Sequence, residues 1–433
     1  MNIYVGGTTA LQFWISSKAH RGFTFSRWRA SRGLRFDGRT QNPSLPLNVR
    51  CIIQSELESN ENGASSVFKD WGVSPRDYLP PLLGDLVDGG PLDLPTCKLP
   101  AGHIPELTRS EANGAAERFG LSLPLQLLVP CDKARRNSHV AQCHVADGRI
   151  PPAAFVFVEE GMHIARPEFA LYSAACELAS KESLSFSDGE IVARLAVLCS
   201  ELFALYVSDP CNKFGLLRRQ ALCSPAKLEA FLSEIAYTRC RPLRLLRKAL
   251  EIACGPCASP MEIAAGLLAC APRSMGGYGL GEAKFNCPVG KTDAEGSLSR
   301  LLLDLYFPKH RTALEYKGVL SHVASLDKDS IREARLAAEG IRVLSVTRAQ
   351  LASSQEADKL MIDVLAKLFR RKDSTAYKKY ETERRLFFKT IMAELVRAKN
   401  VSRYSTETAL ACEQATAENE SRSWVCASRK NRP

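Results

Sequence analysis

Three ionisable residues sit where the chain is otherwise apolar. Asp304 lies inside Leu301-Leu-Leu-Asp-Leu-Tyr-Phe307, Glu315 inside the run Thr312–Tyr316, and Lys317 two positions after Glu315. Both runs have the length and composition of strands. Strand residues two apart point to one face, so Glu315 and Lys317 stand side by side, ~6.6 Å apart along the chain. Burying such groups is costly unless they are paired or hold a metal. Two carboxylates can bind a hard cation such as Mg²⁺ (or Mn²⁺), and an adjacent lysine can orient or deprotonate a water.

The elements around these residues can be read as well. A short polar linker containing Pro308 joins the two runs, as in an antiparallel hairpin. Upstream, Ser259-Pro-Met-Glu262 opens a helix. Ser259 suits its N-cap, Pro260 the first helical position, and Glu262 the third position of a capping box. Lys284–Val289 is a candidate first strand. Downstream, Asp327–Glu339 is expected to be a helix, with Leu326, Ala334 and Ala338 facing the sheet, and Ile341–Thr347 a last strand. The expected order is αβββαβ.

Asp304 followed by Glu315-x-Lys317 resembles the D…(D/E)xK signature of the PD-(D/E)XK nuclease superfamily. His322, Asp329-Ser-Ile-Arg332, Leu336, Gly340 and Ile341–Thr347 follow in an order similar to the branch that contains very-short-patch-repair endonucleases. Relatives in that branch often read Glu-Tyr-Asp-Gly or Glu-Tyr-Asp-Ser where this chain has Glu315-Tyr-Lys-Gly318. The difference moves the chain toward the consensus of active nucleases and away from those relatives. The similarity spans residues 257–350. Cys257-Ala-Ser-Pro-Met-Glu262 and Gly276-Gly-Tyr-Gly-Leu280 also look like phrases of an actinobacterial group with this architecture.

The resemblance implies a C-terminal restriction-endonuclease-like αβββαβ core and a metal-dependent DNA endonuclease that hydrolyses phosphodiester bonds. Asp304 and Glu315 would be the metal ligands and Lys317 would activate the water. Glu262 would support a second metal or the water network, and His322 the leaving group or phosphate. The competing reading is a catalytically inactive DNA-binding regulator on the same fold, antitoxin-like in role, because a fold does not settle a function.

The remainder of the chain frames this core. Its 433 residues, 45% hydrophobic and 24% charged, suit a globular protein of several domains. The expected fold class is mixed α+β and α/β. Residues 1–166 read as a small mixed α/β region, 167–256 as helical, 257–372 as the nuclease domain, and 373–433 as a basic helix with a disordered tail. A net charge of +11 favours an anionic partner, DNA being the commonest. Lys18–Arg50 carries eight basic residues against Asp37, with Phe23, Phe25, Trp28 and Phe36 among them. Aromatics among cations suit nucleic acid, although the same residues would serve a basic surface over a small core. Arg244, Arg247 and Lys248 share one helical face. Arg244 and Arg247, with Arg332 and Arg335 one turn apart on the later helix, are the candidate nucleic-acid contacts.

Other motifs fail on context. Cys254-Gly-Pro-Cys257 matches a redox dithiol sequence, but a helical run precedes it where a strand is required. Gly290-Lys-Thr292 lacks the glycine five positions earlier that a phosphate loop needs, Phe285 standing there. The seven histidines show no zinc spacing. Fifteen cysteines, an odd number thinly spread, fit buried thiols in a reducing compartment. No apolar run reaches a membrane span and no signal peptide is apparent, so a cytoplasmic protein with no membrane partner is expected.

Overall fold

A computed structural model of the chain describes residues 3–17, 19, 99, 105, 107–146, 150, 154–159, 161–180, 186–209, 215–235, 240–289, 301–317, 326–370 and 374–403. His322, the basic segment Lys18–Arg50 apart from Ala19, and the tail from residue 404 lie outside the described residues.

The described residues are mixed α/β and form three sheets. It begins with β1 (Ile3–Val5) and α1 (Gly7–Ile15), and continues after a long interval with α2 (Arg109–Phe119). Thr108 and Glu111 cap α2 reciprocally and Gly120 ends it at φ 66°. Strands β2 (Leu125–Val129), β3 (Ala141–Val145), β4 (Phe155–Glu159) and β5 (Met162–Ala165) complete a first sheet in the order β3-β2-β1-β5-β4. Next come α3 (Pro167–Leu178) and α4 (Asp188–Phe203), the latter opened by a Ser187–Glu190 capping box. A small antiparallel hairpin, β6 (Tyr206–Ser208) with β7 (Leu216–Arg218), interrupts the stretch 167–256 that reads as wholly helical. Its strands are three residues long, too short for a period to register. Helices α5 (Pro225–Glu234) and α6 (Arg241–Ile252) follow.

The third sheet is built from the last part of the chain. Helix α7 (Pro260–Cys270) leads into β8 (Lys284–Val289), β9 (Leu301–Phe307) and β10 (Thr312–Lys317). Helix α8 (Leu326–Ala338) then crosses to β11 (Arg342–Thr347). The sheet order is β11-β10-β9-β8; β8–β9 and β9–β10 are antiparallel and β10–β11 parallel. A parallel neighbour requires a crossover, and α8 supplies it. Helix α9 (Ser354–Asp358) continues into a wider π-helical stretch, Lys359–Ala366, and the described chain closes with α10 (Ser374–Lys379) and α11 (Glu381–Arg403).

One hydrophobic core runs from the first sheet through α3 and α4 to the third sheet and α11. Helix α11 buries Phe387, Ile391 and Leu395 in it, and its Glu394 pairs with Arg194 of α4 at 3.1 Å. The glycines of Gly276-Gly-Tyr-Gly-Leu280 serve this packing. A Cβ on Gly276 (φ 94°) would come within 2.4 Å of the Glu383 carbonyl, and one on Gly277 within 2.0 Å of the Ala271 carbonyl. Tyr278 donates to Asp358 at 2.7 Å, and Arg384 of α11 pairs with the same carboxylate at 2.9 Å.

A smaller core forms between α8 and its sheet from Leu303, Ala313, Leu336 and Ile341. This corrects the expected face of α8: Ala334 and Ala338 are exposed, while Leu336 is buried. Ile331 is exposed, whereas Leu336, near the C-terminal end of the helix, is the side chain that packs on the sheet. One turn earlier on that same face is Arg332, which therefore points at the sheet and not into solvent.

Candidate active site

Backbone pairing between β9 and β10 runs Phe307↔Thr312, Tyr306↔Ala313 and Leu305↔Leu314, and stops there. Beyond that point side chains take over. The Asp304 carboxylate accepts the Tyr316 N–H at 2.8 Å, and the Glu315 carboxylate accepts the Asp304 N–H at 3.4 Å. The two acids thus satisfy the main chain where the ladder opens, and each stands beside the other's strand.

Strand β9 also changes face at Asp304. Leu305 and Phe307 belong to the main core, whereas Leu303 packs with Ala313 and Leu336 on the α8 side. A regular strand would put Leu303 and Leu305 on one face. On the other neighbour, Phe285↔Leu305 and Cys287↔Leu303 are paired and Asn286 between them has φ 41°. That is a left-handed conformation, rare for a residue with a side chain and best tolerated by Asn. Asn286 turns its amide away from the ladder and donates to the Glu262 carboxylate at 3.2 Å and to the Pro256 carbonyl at 3.0 Å.

Glu262 enters from the first turn of α7. Ser259 caps its N–H at 3.3 Å, as the motif requires. The reciprocal half of the box differs: the Glu262 carboxylate reaches the Ala258 N–H at 2.8 Å instead of that of Ser259. That one-residue offset lets the same oxygen meet Asn286.

Glu262, Asp304 and Glu315 sense one another. Burial first, then the negative charges of Glu262 and Glu315, push the Asp304 carboxyl up to about 8, against the Tyr316 N–H and Arg332. Burial also raises Glu262, opposed by Ala258, Ser259 and Asn286 and assisted by the charge of Glu315. Glu315 is raised by burial too, with Arg332 and Lys317 pulling it down. Arg332 of α8 binds the Glu315 Oε2 at 2.8 Å and donates its other arm to the Leu302 carbonyl. Lys317, on the Glu315 face of β10, is half-buried.

The sequence-derived residues Asp304, Glu315, Lys317 and Glu262 are therefore gathered in one place, and Arg332 joins them through Glu315. Arg335 is exposed on α8. Arg244 lies elsewhere, on α6, where it and Arg241 share the Asp188 carboxylate at 3.3 and 2.7 Å. Arg247 donates to the Leu232 carbonyl at 3.5 Å. Asn286 is the site residue that sequence reasoning missed. Its one signal was an Asn, a poor strand former, in mid-strand beside the acids.

The buried thiols Cys254 and Cys257 back the site. Burial raises both well above the ordinary thiol value, so neither offers the thiolate a redox dithiol needs. Among the described residues, no group of three or more His, Cys, Asp or Glu side chains is set to hold a metal ion. Mg²⁺ usually takes one or two carboxylates and completes its shell with water and substrate phosphates. The donor chemistry of Asp304 and Glu315, hard oxygens whose charges are costly where they stand, fits that pattern.

No protein-family model matches the chain, and neither does any curated protein or solved structure. No helix among the described residues is long and apolar enough to cross a membrane.

Proposed function

We propose that the chain is a Mg²⁺- or Mn²⁺-dependent DNA endonuclease of the PD-(D/E)XK type, with α7, β8–β10, α8 and β11 as its restriction-endonuclease-like core. One observation carries the reading. Asp304 and Glu315, from adjacent strands, each accept a backbone N–H where β9 and β10 part, with Lys317 on the Glu315 face. Where the ladder opens, the two carboxylates come together at the end of the β9–β10 pairing and are engaged by each other's strand.

In this reading Asp304 and Glu315 hold the cation. When bound, it would supply charge stabilisation at the phosphoryl oxygens and a more acidic water. Lys317 would hold the attacking water and neutralise charge on the phosphate. Glu262, tied by Asn286 and the Ala258 N–H, would accept a proton or order the water network. The net charge of +11 would draw DNA to the protein.

A second reading has its own support. The Arg332 guanidinium already satisfies Glu315, so the acids can stand without a metal. An inactive DNA-binding regulator on the same fold, antitoxin-like in role, accommodates that ion pair. The deciding experiment is a nicking and cleavage assay on plasmid, linear duplex and branched DNA with Mg²⁺, Mn²⁺ or EDTA. Cleavage that needs the metal and vanishes in Glu315→Gln supports the nuclease. Binding without cleavage under every condition transfers the assignment to the regulator.

A further inference from the structure

We infer that Arg332 is an internal counter-cation for Glu315, and that Arg332 and a divalent cation are alternative partners of that carboxylate. Metal loading would then release α8 from its polar anchor on the sheet. This rests on the metal-binding reading of Asp304 and Glu315 given above.

The geometry supports the exchange. Both oxygens of Glu315 are engaged, Oε1 by the Asp304 N–H at 3.4 Å and Oε2 by Arg332 at 2.8 Å. The Glu315 side chain is only 5% exposed, so water cannot replace a lost partner cheaply. Arg332 is 27% exposed and so lies at the edge of the site, with a route to solvent. Its second bond, to the Leu302 carbonyl, falls on the stretch of β9 just before Asp304. One side chain therefore ties α8 to both strands that carry the acids. A cation shared by Asp304 and Glu315 would place positive charge beside the guanidinium. Two like charges on one buried carboxylate repel, and the arginine is the one with an exit.

Among the described side chains of α8, Leu336 is the buried one, packed on Leu303, Ala313 and Ile341. The helix's polar anchor is Arg332, whose bonds to Glu315 and to the Leu302 carbonyl a competing cation would break.

The test is calorimetric titration of MnCl₂ into the full-length protein and three variants at one pH. Glu315→Gln establishes the site by losing the binding. Arg332→Gln is expected to bind Mn²⁺ on the order of tenfold more tightly, because a competing positive charge is gone. Arg332→Lys, which keeps the charge, is expected to stay near the wild-type affinity. Hydrogen exchange on the wild type gives an independent reading that needs no variant to fold. Backbone amides of 326–338 are expected to exchange faster with Mn²⁺ than with EDTA. If the wild type binds Mn²⁺ through Glu315 but Arg332→Gln binds no more tightly, the counter-cation role is wrong and the metal site stands. Exchange in α8 that is unchanged or slowed by Mn²⁺ overturns the release of the helix. If the wild type binds no Mn²⁺, the metal site itself falls, and the exchange of partners with it.

Discussion

Asn286 stands opposite Asp304 across the β8–β9 pair, in a left-handed conformation at φ 41°. At these two residues the β8–β9 ladder is interrupted and the β9–β10 ladder ends. One amide and one carboxylate turn out of the ladder there, the first toward Glu262 and the second toward the Tyr316 N–H. The site is a local defect in an otherwise regular sheet, and it is held by side-chain hydrogen bonds in place of main-chain ones.

The backbone and side-chain roles of Asn286 can be separated. Asn286→Ala should cost about 1–2 kcal/mol, because a Cβ with no local hydrogen bond is strained at positive φ. Asn286→Gly should cost less, since glycine accepts that conformation. Urea unfolding of the two variants checks this. Equal losses would show that φ at residue 286 is unimportant to stability.

The metal-free protein should be destabilised by raising the pH. Asp304 in the folded state keeps its proton up to about 8, while the unfolded chain gives it up near the ordinary 3.8. Between those values the native state binds more protons, so stability falls as pH rises and levels off above the upper one. Glu262 and Glu315 are shifted the same way and add to the slope. Asp304→Asn should flatten this fall. Melting temperatures from pH 4 to 9 in EDTA provide the measurement; an Asp304→Asn profile as steep as wild type would remove Asp304 as a cause.

Catalysis should depend on Lys317 and less steeply on Glu262. Lys317→Ala should lower the cleavage rate by ~10²–10³, the usual consequence of losing one preorganised charge. DNA binding should persist in this variant. Glu262→Ala should weaken activity and also cost about 1 kcal/mol, because the Ala258 N–H loses its acceptor. Single-turnover rates and thermal melts on the same preparations separate the two effects. Full activity in Lys317→Ala would exclude it from the chemistry.

The glycine pair ahead of β8 should be intolerant of side chains. Gly276→Ala adds a Cβ 2.4 Å from the Glu383 carbonyl and 2.5 Å from the Phe387 Cβ, at φ 94°. Neither neighbour can yield without moving α11, so a loss of about 1–3 kcal/mol is expected. A melting temperature within a degree of wild type would show that α11 is loosely seated.

DNA affinity should be electrostatic and fall steeply with salt. Arg244 is already paired with Asp188, so Arg244→Ala should weaken binding less than Arg335→Ala, whose parent side chain is exposed on α8 beside the site. Filter binding across a salt series tests both. Affinity that is absent at low salt would strike nucleic acid from the partners.

The sequence by itself determined the elements of the third sheet and most of the acids in it. Leu301–Phe307 and Lys284–Val289 are strands with the bounds their apolar runs suggest, and α8 and β11 follow in the expected order. Local pattern suffices there because period and turn chemistry act over a few residues. Asp304, Glu315 and Lys317 were legible for the same reason: charge inside an apolar run is costly and therefore conspicuous. The rotation of α8 was not, since Leu336 outcompetes Ala334 and Ala338 only when a sheet is present to bury it. Nor was the left-handed turn at Asn286, which a strand pattern hides and only the pairing with β9 reveals. The bond between Arg332 and Glu315 joins residues 17 apart in sequence through a helix crossover. No spacing rule reaches that far, because such a contact exists only once the helix has packed.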